Sequence, residues 1–312
     1  MKVLQDLNSM REMIGRSVVT VGNFDGVHLG HQAILRETIR RARDMNLPAV
    51  ALTFEPHPQR VFKGKEAPSL LTTLPQKIDL LEAFGISATI VCTFDQSIYQ
   101  YSADQFFSEV LVARLGAVHV VEGRDFTFGR GRTGSPELLV KLGNEHGVRV
   151  TIVDPVMFEG ERVSSSRIRT YIVEGNVAKA RSLLGRPYEV EGIKVSGRGR
   201  GRTLGYPTVN LTPENELLPA IGIYAVESVC DGRTFLGAAS LGFNPTFGGD
   251  QFSFEVHLLN FEGRVRDTRI RVRFHKWLRD EMKFDSPQDL IDQIGADVVH
   301  VRELFRADRS LY

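Results

Sequence analysis

A chain of 312 residues exceeds what one compact core usually holds, and 42% hydrophobic with 25% charged residues describes an ordinary globular protein of two domains. A formal net charge of +1 argues against a dedicated nucleic-acid binder, and two cysteines, Cys92 and Cys230, make no disulfide framework. Met1 to Arg16 lacks the apolar core of a signal peptide, and no stretch approaches the roughly 18 apolar residues of a membrane span, so a cytoplasmic chain with no membrane or nucleic-acid partner is expected.

The first strand expected is Ser17–Val21, a β-branched run. A turn punctuated by Gly22, Gly26 and Gly30 follows, and a helix-compatible stretch runs from Gln32 to Arg43. This strand–loop–helix order suits a phosphate site, because a helix start offers unpaired N–H groups and the positive end of its dipole. His28 and His31 sit where that helix should begin. A metal pair is the competing reading of such histidines, but no further His/Cys cluster lies nearby in the sequence. Further strands are expected at Ala49–Phe54, Ala88–Thr93, Ala117–Glu122 and Arg149–Val153. Helices are expected at Ile34–Met45, Gln76–Phe84 and Ala103–Leu115. Apolar strands separated by helices imply a parallel sheet covered on both faces, with ligands beyond the strand C-termini.

After Leu184-Gly185-Arg186-Pro187 the rhythm changes. Val190–Val195, Gly222–Cys230, Thr234–Leu241, Phe252–Asn260 and Arg269–Phe274 read as strands with turns between them, which suggests a small antiparallel barrel. A closing helix is expected from Pro287 to Arg306, interrupted near Gly295. The alternation of Ile270-Arg271-Val272-Arg273-Phe274 reads as a strand with one wet face rather than a nucleic-acid patch. The domains are therefore 1–185 and 186–312.

The string Gly22-Asn23-Phe24-Asp25-Gly26-Val27-His28-Leu29-Gly30-His31 resembles the signature of the nucleotidyltransferases. More closely, it resembles the flavin adenylyltransferase module of bacterial bifunctional riboflavin kinase/FAD synthetases. The resemblance implies a Rossmann-like nucleotidyltransferase domain followed by a riboflavin kinase barrel with a C-terminal helix. The same family's I-S-S-T-x-I-R motif is matched from Val163 to Arg169, with Ser166 in place of threonine, and its G-x-[DN]-F-x-F-G loop by Gly123 to Gly129. By that resemblance ATP and its phosphates would meet Gly22, Asn23, Phe24, Asp25, Gly26, Gly30, Asp125, Arg162, Ser165, Ser166 and Arg167. His28 and His31 would stabilise the charge that develops on the transferred phosphoryl group. Thr53-Phe54-Glu55-Pro56-His57-Pro58 resembles the family's T-F-x-P-H-P, which points to Phe54, Pro56, His57, Pro58 and Phe62 as flavin contacts. Leu71-Thr72-Thr73-Leu74 with Lys77 extends the likeness.

In the second half, the loop Gly197 to Gly205 ends in Tyr206-Pro207-Thr208-Val209-Asn210, similar to the P-T-A-N motif of riboflavin kinases. That likeness implies that Gly199, Gly201, Thr208 and Asn210 hold ATP, and that Thr208 and Asn210 also hold Mg²⁺. On composition alone the loop also suits a flexible RNA-binding segment. Asn244-Pro245-Thr246-Phe247-Gly248 matches the family's N-P-T-F-G turn, and Phe254-Glu255-Val256-His257-Leu258-Leu259 resembles its catalytic strand. Glu255 would then be the general base toward the riboflavin 5′-hydroxyl. Asn260 stands where the family often has Asp. Arg279 and Phe284 would approach the flavin.

The implied chemistry is riboflavin plus ATP to FMN, then FMN plus ATP to FAD and pyrophosphate. Two other readings stay open at this stage. One is a transferase of the same superfamily with a different acceptor, and the other a flavin- or RNA-binding regulator that kept the fold without the chemistry. The oligomeric state is not legible in the sequence.

Overall fold

The computed structural model describes residues 1–5, 14–197, 201, 204–246 and 249–308. It divides into two compact units, Met1–Ser165 and Ser166–Tyr312, with the division at the start of a helix, Ser165–Val173.

The first unit is a six-stranded parallel sheet. Its strands are β1 (Lys2–Leu4), β2 (Ser17–Val21), β3 (Ala49–Glu55), β4 (Ala88–Thr93), β5 (Ala117–Gly123) and β6 (Arg149–Val153). Their spatial order is β1-β4-β3-β2-β5-β6. The chain builds outward from β2 on one side, then crosses to place β5 on the other. A crevice therefore opens between the C-terminal ends of β2 and β5, where such sheets bind ligands. All five residues of β2 are buried, as a strand covered on both faces requires. The five strands read from sequence appear within a residue of the expected bounds; β1, only three residues long, carries too little pattern to be read.

Helices cover the two faces. Leu29–Asp44 buries Leu35, Ile39 and Ala42 against Val18, Ala51 and Val121. Leu74–Phe84 begins with a capping box in which Thr73 and Gln76 satisfy each other's backbone N–H groups. Pro136–His146 is a helix the sequence reading did not mark. The helix expected at Ala103–Leu115 is α-helical only over Ala103–Gln105 and continues as a π-helix through Phe106–Arg114. That wider coil brings residues four and five apart onto one side, and Phe106, Phe107, Val110, Leu111 and Leu115 are all buried. A short hairpin of β7 (Met157–Phe158) and β8 (Glu161–Arg162) ends the unit.

The second unit opens within the helix Ser165–Val173, at Ser166, and continues with the helix Val177–Leu184. A closed antiparallel barrel follows, built from β9 (Tyr188–Val195), β10 (Thr208–Pro213), β11 (Gly222–Cys230), β12 (Arg233–Thr246), β13 (Gly249–Leu258) and β14 (Arg269–Arg279). The barrel order is β10-β13-β12-β11-β14-β9. Its interior holds Tyr224, Val226, Leu241, Phe254, Val256, Val272 and Phe274, nearly all at 2% exposure or less. The wet face of β14 is paired outward, Arg269 to Glu214 and Arg273 to Glu189, as the alternation suggested. The segment Thr208–Asn210, expected in a loop, is the start of β10. Polar residues at alternate positions and a glycine-rich approach hid that strand. The closing helix Pro287–Asp308 runs without the break expected at Gly295, since one interior glycine costs only about 1 kcal/mol. Its Val298, Val301, Leu304 and Phe305 pack with Ala225, Leu236 and Ala238 of the barrel wall.

Phe107 is fully buried in the larger core of the first unit. Phe107→Ala should cost about 3–5 kcal/mol, read as a lower midpoint in urea unfolding of the full chain.

Candidate active sites

The loop from Gly22 to His28 leaves β2 in a conformation side chains resist. Phe24, Gly26 and Val27 have φ of 47°, 80° and 39°, two of them non-glycine residues in the left-handed region. Asp25, only 2% exposed, holds this shape. Its Oδ1 accepts the backbone N–H groups of Leu71 (2.9 Å) and Thr72 (3.2 Å). In return Gly26 N–H donates to Thr72 Oγ1 at 3.2 Å. Thr53 Oγ1 donates to the carbonyl of Asn23, and Ser165 Oγ to that of Asp25. The Phe24 ring is buried in the core, close against Gly22. Gly22, Asn23, Phe24, Asp25 and Gly26 thus form a stapled loop, and the Asp25 carboxylate is spent inside it.

Lys77, named in the sequence without a role, is 3% exposed beneath this loop, with Nζ 3.5 Å from Thr53 Oγ1. Burial pushes its pKa down, and Asp25 and Glu55 push back.

The two histidines stand where expected. His28 is the N-cap of Leu29–Asp44, its Nδ1 accepting the N–H of His31 at 3.3 Å. The two rings stack, with centroids 3.6 Å apart and planes 15° apart. A Cβ on Gly30 would come within 3.1 Å of the His28 ring, so the glycine makes room for it. Both rings face a cleft of about 210 Å³ shared with Gly30, Asp125, Arg162 and Ser165. The guanidinium of Arg162 pairs with the carboxylate of Asp125, both groups about half exposed. Histidines, a guanidinium, a serine hydroxyl and a helix start therefore converge on one cavity at the switch point, a set of groups whose chemistry suits a polyphosphate. Ser166 follows in the helix, its carbonyl taking the hydroxyl of Thr170. Arg167 donates to Tyr171 Oη from both Nε and Nη2.

At the C-terminal rim of β3 and β4 lies an aromatic cluster. Phe54, Phe62, Phe94 and Tyr99 stand with centroids 5.3–6.0 Å apart, and Phe62 is 65% exposed. Phe94 and Tyr99 were not expected from the sequence; Phe94 follows directly after β4, and that position was the available signal. His57 turns inward, capping the helix Pro58–Lys63 by accepting Gln59 N–H, while Pro56 stays exposed and Pro58 opens the helix.

The second site lies on the outer wall of the barrel. Thr208 pairs with His257 and Asn210 with Glu255 across β10 and β13, so all four side chains share one face. Thr208 Oγ1 donates to Glu255 Oε2 at 2.8 Å, and Ser253 Oγ to Oε1 at 3.3 Å. A Cβ on Gly197 would fall 2.2 Å from the Asn210 amide nitrogen, and one on Gly201 2.4 Å from the carbonyl of Tyr206. Glycine is what lets the loop lie this close to β10. Thr208 and Asn210 open onto a cavity of about 740 Å³ that Gly197, Lys194 and Arg264 also line.

No group of three or more His, Cys, Asp or Glu suited to a metal is found among the described residues. A hydroxyl and an amide oxygen beside a carboxylate do fit Mg²⁺, which takes few protein oxygens and completes its shell with phosphates and water. Gly199, Phe247 and Gly248 lie outside the described residues. Arg279 grips Asp297 of the closing helix through Nε and Nη2 (2.7 Å), and Phe284 is half-buried before that helix. Asn260 takes a left-handed turn and accepts from Arg302, a role asparagine fills well.

The family model for FAD synthetase matches residues 10–167 and that for riboflavin kinase residues 184–305. The bifunctional riboflavin kinase/FMN adenylyltransferase of Escherichia coli (strain K12) is 36% identical over 98% of both chains. Its namesake in Listeria monocytogenes is 36% identical over 92% of both. A solved chain from Streptococcus pneumoniae, named a macrolide-efflux protein, superposes with a TM-score of 0.87 at 33% identity, covering 97% of this chain and 99% of that one. No helix among the described residues is long and apolar enough to cross a membrane.

Asp25→Ala strands two buried N–H groups and releases a strained loop. It should cost on the order of 3 kcal/mol, seen as a lower thermal midpoint of the full chain, beyond any effect on catalysis.

Proposed function

The chain belongs to the bifunctional riboflavin kinase/FMN adenylyltransferases, and on that premise we propose which of its groups carry each reaction. The C-terminal half phosphorylates riboflavin with ATP, and the N-terminal half adenylylates FMN with ATP. One observation supports the division of labour below: the histidine cleft is built wholly from the first unit, and the Thr208–Asn210–Glu255 face wholly from the barrel.

In the first reaction the riboflavin 5′-oxygen attacks the γ-phosphorus of ATP. Its proton passes to Glu255, the bond to the bridging oxygen breaks, and ADP leaves. Glu255 receives hydroxyl hydrogen bonds from Thr208 and Ser253, which aim the carboxylate along the barrel wall. Thr208 and Asn210 would hold Mg²⁺, which when bound offsets phosphate charge. The glycines at 197, 199 and 201 let backbone approach the triphosphate, and Arg279 and Phe284 border the flavin.

In the second reaction an oxygen of the FMN phosphate attacks the α-phosphorus of ATP and pyrophosphate departs. This chemistry needs positioning and charge stabilisation more than a covalent partner. With its Nδ1 committed to the helix start, His28 faces the cleft with the rest of its ring, and His31 stacks beside it. Both stabilise the charge gathering on the transferred phosphoryl group. Arg162, Ser165 and Asp125, which line the same cleft, orient the ATP phosphates over the stapled Gly22–Gly30 loop. The isoalloxazine stacks among Phe54, Phe62, Phe94 and Tyr99, with Pro56, His57 and Pro58 forming the edge. We place the domain boundary at 185/186, two residues into the riboflavin kinase match and just before the first barrel strand at Tyr188. We also assign the protein to a reducing cytoplasm, consistent with buried Cys92 and Cys230 thiols whose pKa burial pushes up to about 12 and about 11.

Incubating the protein with riboflavin, ATP and Mg²⁺ and separating the flavins should give FMN, then FAD. Glu255→Ala should stop FMN formation while added FMN still becomes FAD. His31→Ala should accumulate FMN, with adenylyl transfer slowed roughly 10²–10³-fold, the usual cost of one charge-stabilising donor. Equal damage to both steps by both variants would refute the two-site assignment. Chelating divalent cations with EDTA should halt FMN formation, and added Mg²⁺ should restore it.

A further inference from the structure

At the switch point the sheet is incomplete on one side. The pairing of β2 with β5 runs from Ser17–Ala117 to Val19–Val120 and then stops, while β2 continues with β3 as far as Val21–Leu52. On the β3 side Gly22 N–H donates to the Leu52 carbonyl at 2.9 Å. On the β5 side, beyond the last paired residues, Glu122 Oε1 takes the Val21 N–H at 2.5 Å. Glu122 is 2% exposed, and the next residue, Gly123, lines the cleft that His28 and His31 face.

We propose that Glu122 is a positioning residue for adenylyl transfer, its side chain replacing the missing ladder bond between β2 and β5 and fixing where the Gly22–His28 loop departs. The inference rests on the adenylyl-transfer reading of this cleft. Val21 is the last strand residue before the loop whose far end is His28. A strand end free to swing at Val21 would carry both rings with it, and a misplacement of about 1 Å costs on the order of 100-fold in rate.

The chemical state of the carboxyl follows from its surroundings. Burial pushes its pKa well above the ordinary 4.5; the Val21 N–H opposes that, and Asp125 reinforces it. Asp125 comes from the loop after β5 and is itself paired with Arg162, from β8. On β2 the contact is a backbone N–H, the β6 residue opposite is Ile152, and Ile34 of the helix Leu29–Asp44 packs at Gly123. The carboxyl beneath this cleft therefore holds its proton to higher pH than an ordinary glutamate, and while it does so no like charge opposes the substrate from below. In the unfolded chain the side chain ionises near 4.5, while in the folded chain it holds its proton to higher pH. Folding is thus penalised increasingly as pH rises above 4.5, until the folded carboxyl ionises too.

The test compares Glu122→Gln, Glu122→Asp and Glu122→Ala in the full chain, assaying FMN-to-FAD conversion against riboflavin-to-FMN conversion in the same preparation. Gln keeps a neutral oxygen at the right distance; Asp keeps the acid but falls a methylene short. The expected result is adenylyl transfer near the wild-type rate for Gln and a kcat lowered tenfold or more for Asp and Ala. The riboflavin kinase rate should be unchanged in all three. Wild-type FAD formation should decline on the alkaline side as Glu122 ionises, and the Gln variant should lack that decline. The Gln variant should also melt above wild type by a margin that grows as pH rises from 4.5. Wild-type kcat and pH profile in the Asp and Ala variants would overturn the proposal, as would a Gln variant as slow as Ala. If Ala does not fold, the Gln and Asp pair decides. A wild-type chain that makes no FAD fails the adenylyl-transfer reading, and this inference with it.

Discussion

The Gly22–His28 loop must turn a buried parallel strand into a helix within a few residues, and it does so through backbone conformations that Phe24 and Val27 do not favour. The Asp25 carboxylate makes that turn affordable by taking the N–H groups of a distant segment, Leu71 and Thr72. Much of the first unit is arranged around this contact. Residues 71–73 lead into a helix that starts with its own capping box, and Lys77 of that helix sits near Asp25. Thr53, on the neighbouring strand, ties down the carbonyl of Asn23. With the loop fixed, His28 can begin the next helix and present its ring to the cleft.

The two halves solve the phosphate problem differently. The first has a parallel-sheet crevice and a helix start, with two histidine rings and the Arg162 guanidinium around a small cleft. The second has a barrel wall, where Gly197 and Gly201 lie close to Asn210 and Tyr206 and the cavity is larger. Neither includes a metal-suited cluster of His, Cys, Asp or Glu among its described residues. That suits reactions in which the substrates bring most of the charge and the protein arranges it.

Much of this was legible in the sequence. The β-branched strands of the first unit announce themselves because burial on both faces removes any polar interruption. The barrel strands show alternation that survives in the burial pattern of β11 and β14. Less visible was any feature set by tertiary pairing. β10 carries Thr208, Asn210 and Thr212 at alternate positions, so its polar face reads as a loop until its neighbours are known. Asp25 reads as a ligand group because its motif is a ligand motif, yet its partners lie 46 and 47 residues away. Phe94 and Tyr99 join Phe54 and Phe62 only once β3 and β4 lie side by side. Arg279 was visible as a cation, but its match to Asp297 depends on where the closing helix falls.

The pairing of Thr208 with His257 and of Asn210 with Glu255 has a consequence beyond the site it builds. Side chains on a strand alternate with a period of two, so a slip of one residue between β10 and β13 would turn one strand's set from the wall into the oily interior. The barrel's hydrogen-bond ladder therefore acts as an alignment key: the same bonds that close the cylinder bring Glu255 face to face with Thr208 and Asn210. Strand registry and enzymatic competence in this half form a single inherited trait, and neither can drift without the other.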